Sequence, residues 1–230
     1  MALSGFWILD FGFWIESTSA FYPLPLIFCF LPSALCLLPF VFYLMKAVFL
    51  DKDGTLVEDV PYNVNPDKIR LCAGALKAVQ ILAAAGYQIL IITNQSGIAR
   101  GYFSETALIP VEKYLRQLLA SVDVSLAGFY YCPHHPQGVI TEFAIDCDCR
   151  KPSSGLIKKA AKEQKINLQQ SWMIGDILND VEAGNVAGCR TILIDNGNET
   201  EWQLSKSRLP NYVVNNLLEA AEVIMSRDRR

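Results

Sequence analysis

The chain of 230 residues lacks blocks of like charge: its 20 Lys and Arg and 23 Asp and Glu are interspersed and leave a net charge of −3. Without a basic stripe it has no electrostatic footprint for a nucleic-acid backbone or an anionic membrane surface. A small anionic substrate needs only a local cationic site. Internal repeats, low-complexity tracts and charged linkers are also missing, so nothing argues for a second folded domain, and a monomer is expected. Basic residues are absent from residues 1–44, where Asp10 and Glu16 are the only charges. That absence removes the basic segment a secretory signal needs. The same stretch carries an apolar run from Phe21 to Leu44, long enough to span a bilayer, but Pro23, Pro25, Pro32 and Pro39 disfavour an uninterrupted helix. The reading adopted is that Met45 is the biological start and residues 1–44 are an extension outside the fold, because Met45-Lys46-Ala47-Val48-Phe49-Leu50 reads as a first strand. Residues 45–230 are then the folded domain, and a cytoplasmic protein is expected.

From Lys46 onward, short apolar runs rich in β-branched residues alternate with helix-length segments. Ala47–Leu50, Gln88–Thr93, Ala127–Cys132, Ser171–Gly175 and Thr191–Asp195 read as buried strands. Ala73–Ala85, Ser104–Val122, Ser153–Glu163, Leu178–Val186 and Asn215–Ser226 read as helices, with Pro110 kinking the second or marking its true first turn. This alternation predicts an α/β fold, a Rossmann-like parallel sheet sandwiched by helices. In such sheets the ligand crevice lies beyond the carboxyl ends of the strands.

The chemically expressive residues all follow strands. Asp51-Lys52-Asp53-Gly54-Thr55 comes directly after Val48-Phe49-Leu50. Taken alone the tetrad Asp-Lys-Asp-Gly reads as an ordinary surface turn; after an apolar strand it reads as two carboxylates facing a crevice, with Gly54 permitting the turn. Asp51 can attack phosphorus as a nucleophile, and Asp53 can protonate the leaving alkoxide and later activate water. Phosphoryl transfer also asks for positioning and charge neutralisation. Thr93-Asn94-Gln95-Ser96-Gly97 offers a hydroxyl, an amide and backbone donors at a strand end. Arg150-Lys151-Pro152 supplies cations at a helix start, with Pro152 beginning the helix. Asp176, and either as a second ligand or as helix-terminal decoration Asp180, are hard oxygen donors suited to Mg²⁺.

Of seven cysteines, Cys29, Cys36, Cys72 and Cys189 are scattered in apolar contexts, whereas Cys132, Cys147 and Cys149 cluster around the only histidines, His134 and His135. With no secretion signal this pattern favours a metal site over a disulfide framework. Cys132-x-His134, twelve residues, Cys147-x-Cys149 makes a closed Cys₃His zinc site, structural because no position is left for water. His134 is the expected ligand and His135 its neighbour. Zinc would order the 132–149 loop, which is too short for a core of its own.

These motifs resemble, in order, those of the haloacid dehalogenase (HAD) superfamily of phosphatases: Asp51-Lys52-Asp53-Gly54-Thr55, Thr93-Asn94, Lys151, and Asp176 with Asp180. The resemblance covers about Met45 to Asn198 and implies an aspartyl-phosphate intermediate with Mg²⁺ held by Asp51, Asp176 and the backbone carbonyl of Asp53. The interval from Asp53 to Thr93 is too short for a large cap domain. Cys132-Pro133-His134-His135-Pro136, Cys147-Asp148-Cys149-Arg150-Lys151-Pro152 and Thr93 through Gly101 narrow the resemblance to the heptose bisphosphate and histidinol-phosphate phosphatases. It implies that Asp59, Val60, Pro61 and Tyr62, with Asn94, Gln95, Ser96 and Gly97, contact a phosphorylated sugar. It further implies that Arg150 recognises that sugar and that Lys151 and Asn94 stabilise the transferring phosphoryl group. Ile177 departs from the heptose enzymes, which usually carry Lys there. DNA 3′-phosphatases share two of the motifs, but the missing basic stripe argues against nucleic acid. A histidinol-phosphate phosphatase and a membrane-tethered phosphatase are the remaining alternatives.

Overall fold

In a computed structural model, residues 44–228 are described; the 1–44 extension thus falls, apart from Leu44, outside the described residues. Six strands form one sheet: β1 (Ala47–Leu50), β2 (Gln88–Asn94), β3 (Leu126–Cys132), β4 (Trp172–Gly175), β5 (Arg190–Ile194) and β6 (Tyr212–Val214). Their order is β3-β2-β1-β4-β5-β6 and every pairing is parallel. Five expected strands are present, and β6 is additional. Three residues long, at a sheet edge, with only Val214 buried, it carries too little periodicity to be read in advance.

Helices α1 (Ala75–Ala84), α2 (Leu108–Ala120), α3 (Gly155–Gln164), α4 (Leu178–Ala187) and α5 (Leu217–Asp228) occupy the expected segments. Pro110 is the third residue of α2, in the first turn, where a missing N–H costs no intrahelical bond. A separate 3-10 turn, Glu105–Ala107, precedes it. Pro152 does not begin α3 as expected: the helix starts at Gly155, because Ser153 N–H first closes a turn onto the Arg150 carbonyl (2.8 Å).

Alternation along the strands feeds two cores. On β1, Val48 and Leu50 join Ala78, Leu82, Leu115 and Ile224 on one face; Ala47 and Phe49 join Met173, Ile157, Ala160 and Ala183 on the other. Both faces are buried, which is why these strands read as continuous apolar runs. Connections run one way from β1 to β2 and β3 and the other way to β4, β5 and β6, so the strand order reverses between β1 and β4. The carboxyl ends of those two strands therefore open the crevice in which a doubly wound sheet binds ligands. Among the described residues, no helix is long and apolar enough to cross a membrane.

Phe49 is fully buried at the centre of this sandwich. Phe49→Ala is expected to lower the unfolding free energy by about 3–5 kcal/mol in urea titration. Val213→Ala, at an edge position 55% exposed, is expected to change it by no more than about 0.5 kcal/mol.

Candidate active site and candidate metal centre

Asp51 continues β1 by one residue, its N–H donating to the Ile174 carbonyl (2.9 Å) across the β1–β4 seam. The chain then folds back on itself: the N–H groups of Leu56 and Val57 donate to the Lys52 carbonyl (3.1 and 3.0 Å), and Gly54 N–H to that of Val57 (2.8 Å). Gly54 has φ +79°, and a Cβ there would lie 1.9 Å from Asp176 Oδ2. Only glycine satisfies both conditions.

Lys151 is the hub of the site. Its side chain is 2% exposed, and its ammonium donates to Asp51 Oδ1 (2.5 Å) and the Ile92 carbonyl (2.9 Å) and pairs with Asp180 Oδ1 (2.6 Å). Burial alone would push its pKa down; the carboxylates of Asp180 and Asp51 outweigh that and hold it raised. Asp180 is completely buried and meets the Lys151 ammonium, so it lies within the site as well as at the start of a helix. Its other oxygen accepts the Ile177 N–H (3.3 Å) at the start of α4.

Asp176, at the end of β4, accepts from Asn198 Nδ2 (2.6 Å) and Thr55 Oγ1 (3.4 Å). Burial, reinforced by the charge of Asp51, pushes its pKa up to about 6. One oxygen each of Asp51, Asp176 and Asp180 lie within 4.8 Å of one another. Three carboxylates around one ammonium leave a surplus of two negative charges, which a divalent cation neutralises. The donor set is all hard oxygen, as Mg²⁺ prefers.

Asp53 is partly exposed. Its Oδ1 pairs with the buried Lys52 ammonium and its Oδ2 accepts weakly from Gln95 Nε2 (3.4 Å). Burial raises its pKa against the opposing charge of Lys52. The Asn94 amide is spent on the Lys151 backbone, donating to its carbonyl (3.0 Å) and accepting from its N–H (3.1 Å). Buried Gln95 also donates to Thr93 Oγ1 (2.9 Å). Asn94 thus fixes where Lys151 enters the site, and both Thr93 and Asn94 line the cleft with Asp51.

That cleft, of about 290 Å³, is lined by Asp51, Asp53, Asp59, Thr93, Asn94, Ser96, Arg150, Lys151, Asp176, Ile177, Asn179 and Asn198. An outer lobe of about 260 Å³ adjoins it and adds Pro61, Tyr62, Asn63, Gln95 and Gly97. Of the expected substrate contacts only Val60 lines neither. Lys52, Asn179 and Asn198 were missed by sequence reasoning. Asn198 was within reach of the argument that located Asp176, since it follows the carboxyl end of β5.

The zinc-type cluster assembles beside the cleft. Cys132 ends β3, and its sulfur lies 2.9 Å from Cys149 Sγ and 3.5 Å from Cys147 Sγ; His134 Nδ1 is 3.2 Å from Cys149 Sγ and 3.7 Å from Cys132 Sγ. All four donor atoms fall within 4.8 Å of one another. A tetrahedral zinc with sulfur bonds of about 2.3 Å sets sulfurs roughly 3.8 Å apart, so a slight relaxation accommodates the ion. Burial raises the Cys132 pKa to about 11 and that of Cys149 further, a crowding of protonated thiols that a cation resolves. His135 is not a donor: its ring meets Arg100 Nη2 (3.2 Å) and the Gln137 N–H (3.1 Å).

A HAD-hydrolase-like family model matches residues 148–220. The chain is 39% identical over 180 residues to the D-glycero-beta-D-manno-heptose-1,7-bisphosphate 7-phosphatase of Haemophilus influenzae, covering 78% of this chain and 96% of that one. It is 41% identical over 180 residues to the enzyme of the same name from Pasteurella multocida, with the same coverage. The chain belongs to this family of HAD phosphatases. The crystal structure of D,D-heptose 1,7-bisphosphate phosphatase from B. bronchiseptica, complexed with magnesium and phosphate, superposes with a TM-score of 0.69 at 30% identity, over 80% of this chain and 99% of that one. As a member of the family the chain is a phosphoric monoester hydrolase, and its fold suits Mg²⁺-dependent phosphoester hydrolysis.

Lys151→Met removes the one cation from among three buried carboxylates. In chelator, Lys151→Met is expected to cost about 3–5 kcal/mol of unfolding free energy by urea titration, and saturating Mg²⁺ to recover part of that loss.

Proposed function

We propose that the chain removes the 7-phosphate of D-glycero-D-manno-heptose 1,7-bisphosphate, on the route to a nucleotide-activated heptose. The observation that carries the chemistry is the convergence of Asp51, Asp176, Asp180 and Lys151 where β1 and β4 part. The names of relatives that match nearly their whole length support the sugar.

The Asp51 carboxylate attacks the phosphorus, and the bond to the sugar oxygen breaks as Asp53 gives that oxygen a proton. The product sugar leaves Asp51 as an aspartyl-phosphate. Asp53, now ionised, takes a proton from water as the water oxygen attacks phosphorus, and Asp51 departs as a carboxylate with inorganic phosphate formed. Lys151 holds Asp51 in line and faces the transferring group, Asn94 anchors Lys151, and Thr93 offers a hydroxyl to a phosphate oxygen. Arg150, whose Nη1 rests on the His134 carbonyl (3.3 Å), reaches the same cleft to recognise the sugar phosphate. Asp51, Asp176 and the Asp53 carbonyl, with Asp180 in reach, would hold Mg²⁺, which would supply charge neutralisation there. Cys132, His134, Cys147 and Cys149 would hold Zn²⁺ in a structural role: Cys149 directly precedes Arg150 and Lys151, so ordering the loop would aim both cations.

Histidinol phosphate is the competing substrate, because Asp59 lines the cleft with no ion-pair partner among the described residues and would suit an ammonium. A phosphate-release panel over heptose bisphosphate anomers, fructose bisphosphate and histidinol phosphate is expected to give the highest kcat/KM for heptose bisphosphate. A higher value for histidinol phosphate contradicts the sugar. Asp51→Asn is expected to lower kcat by at least about 10³-fold with Mg²⁺ present and the fold intact by circular dichroism. Elemental analysis is expected to find one zinc per chain, and Cys147→Ser to lose that zinc and lower the thermal midpoint.

A further inference from the structure

The outer lobe is walled on one side by Asp59, Pro61, Tyr62 and Asn63 and on the other by Asn94 to Gly97. At its rim the two sides meet through a pair of rings: Tyr62 and Tyr102 pack edge to face, with centroids 4.7 Å apart and planes at 80°. This is a preferred aromatic geometry, yet neither ring is core, since Tyr62 is 46% and Tyr102 61% exposed.

Both rings are placed deliberately by the backbone. Tyr62 occupies the left-handed region at φ 56°, a conformation that a bulky residue rarely adopts and that surrounding contacts must sustain. On the opposite loop, Gly101 at φ +72° turns the chain so that Tyr102 N–H donates to the Gly97 carbonyl (2.9 Å). The next residue, Phe103, packs beneath that loop, so closely that a Cβ on Gly97 would lie 2.3 Å from its ring. Phe103 therefore secures the loop while Tyr102 stays exposed against the Tyr62 ring. Between Asp53 and Thr93 the described helices are only a short 3-10 turn and α1, and this ring pair ties the Tyr62 side of the outer lobe to the loop that follows Gly97.

We infer that Tyr102 is a positioning and specificity-determining residue, holding Tyr62 against the outer lobe so that the part of the substrate beyond the transferred phosphate packs on an aromatic wall. This inference rests on the phosphomonoesterase reading of the cleft. The chemistry fits a polyhydroxylated chain: a C–H face lies against the ring while Asp59, Asn63 and Ser96 meet hydroxyls. Methyl phosphate ends before the outer lobe and feels only the inner cleft.

The test is the ratio of kcat/KM for heptose bisphosphate to that for methyl phosphate, with Mg²⁺ present. Tyr102→Ala is expected to lower this ratio about tenfold, through a raised KM for the sugar, and Tyr102→Phe, which keeps the ring, to restore it. Tyr102 is exposed, so the fold is expected to survive either change, as circular dichroism checks. An active wild type with a ratio unmoved by Tyr102→Ala, or with equal losses on both compounds, overturns the inference alone. A wild type that releases no phosphate from either compound overturns the phosphatase reading and this inference with it.

Discussion

The site depends on a buried ammonium held between carboxylates. Lys151 sits in the crevice between the sheet's two central strands, bonded to Asp51 at the end of β1, to the Ile92 carbonyl of β2 and to Asp180 in the first turn of α4. Desolvating a lysine is costly, and only close anionic partners keep it charged. Those partners in turn cannot remain ionised side by side without a cation. The arrangement is therefore mutually conditional: remove the ammonium and three buried carboxylates face one another; remove the carboxylates and the lysine loses its charge. A divalent ion completes the balance that Lys151 begins.

The same lysine links the site to the Cys₃His cluster. Cys149, Arg150 and Lys151 are consecutive, the Asn94 amide clamps the Lys151 backbone, and Gln95 N–H donates to the Cys132 carbonyl (2.8 Å). Ala99 N–H donates to the Pro133 carbonyl (3.2 Å), and the Ala99 carbonyl accepts from Val139 and Ile140. The loop after β2 and the cysteine loop are thus laced into one surface beside the cleft. Order imposed at the four donor atoms would pass directly to Arg150 and Lys151, so a metal held there would bear on the cleft as well as on the loop.

Much of this was legible in the sequence because the informative residues sit where period and turn chemistry coincide. Asp51 and Asp176 follow apolar strands, and Gly54 and the spacing from Cys132 to Cys149 are local signals. Other features were illegible because they depend on which distant segments meet. The Asn94 amide also holds the Lys151 backbone, 57 residues away, a contact that no local pattern announces. Asp180 looked optional at a helix start until burial placed it on Lys151. Lys52 drew no role because its pairing with Asp53 depends on a turn and on burial. β6 was missed because an edge strand of three residues lacks a pattern, and Tyr102 because its contact with Tyr62 joins two loops far apart in sequence.

The account's central claim is that Asp51 itself receives the phosphoryl group. Rapid-quench turnover of radiolabelled heptose bisphosphate, followed by borohydride reduction and peptide mass analysis, tests it most directly. The predicted result is transient labelling of the protein and conversion of Asp51 to homoserine in the reduced peptide. Phosphate release at full rate with no label on the protein at any quench time, and Asp51 unmodified, would contradict it.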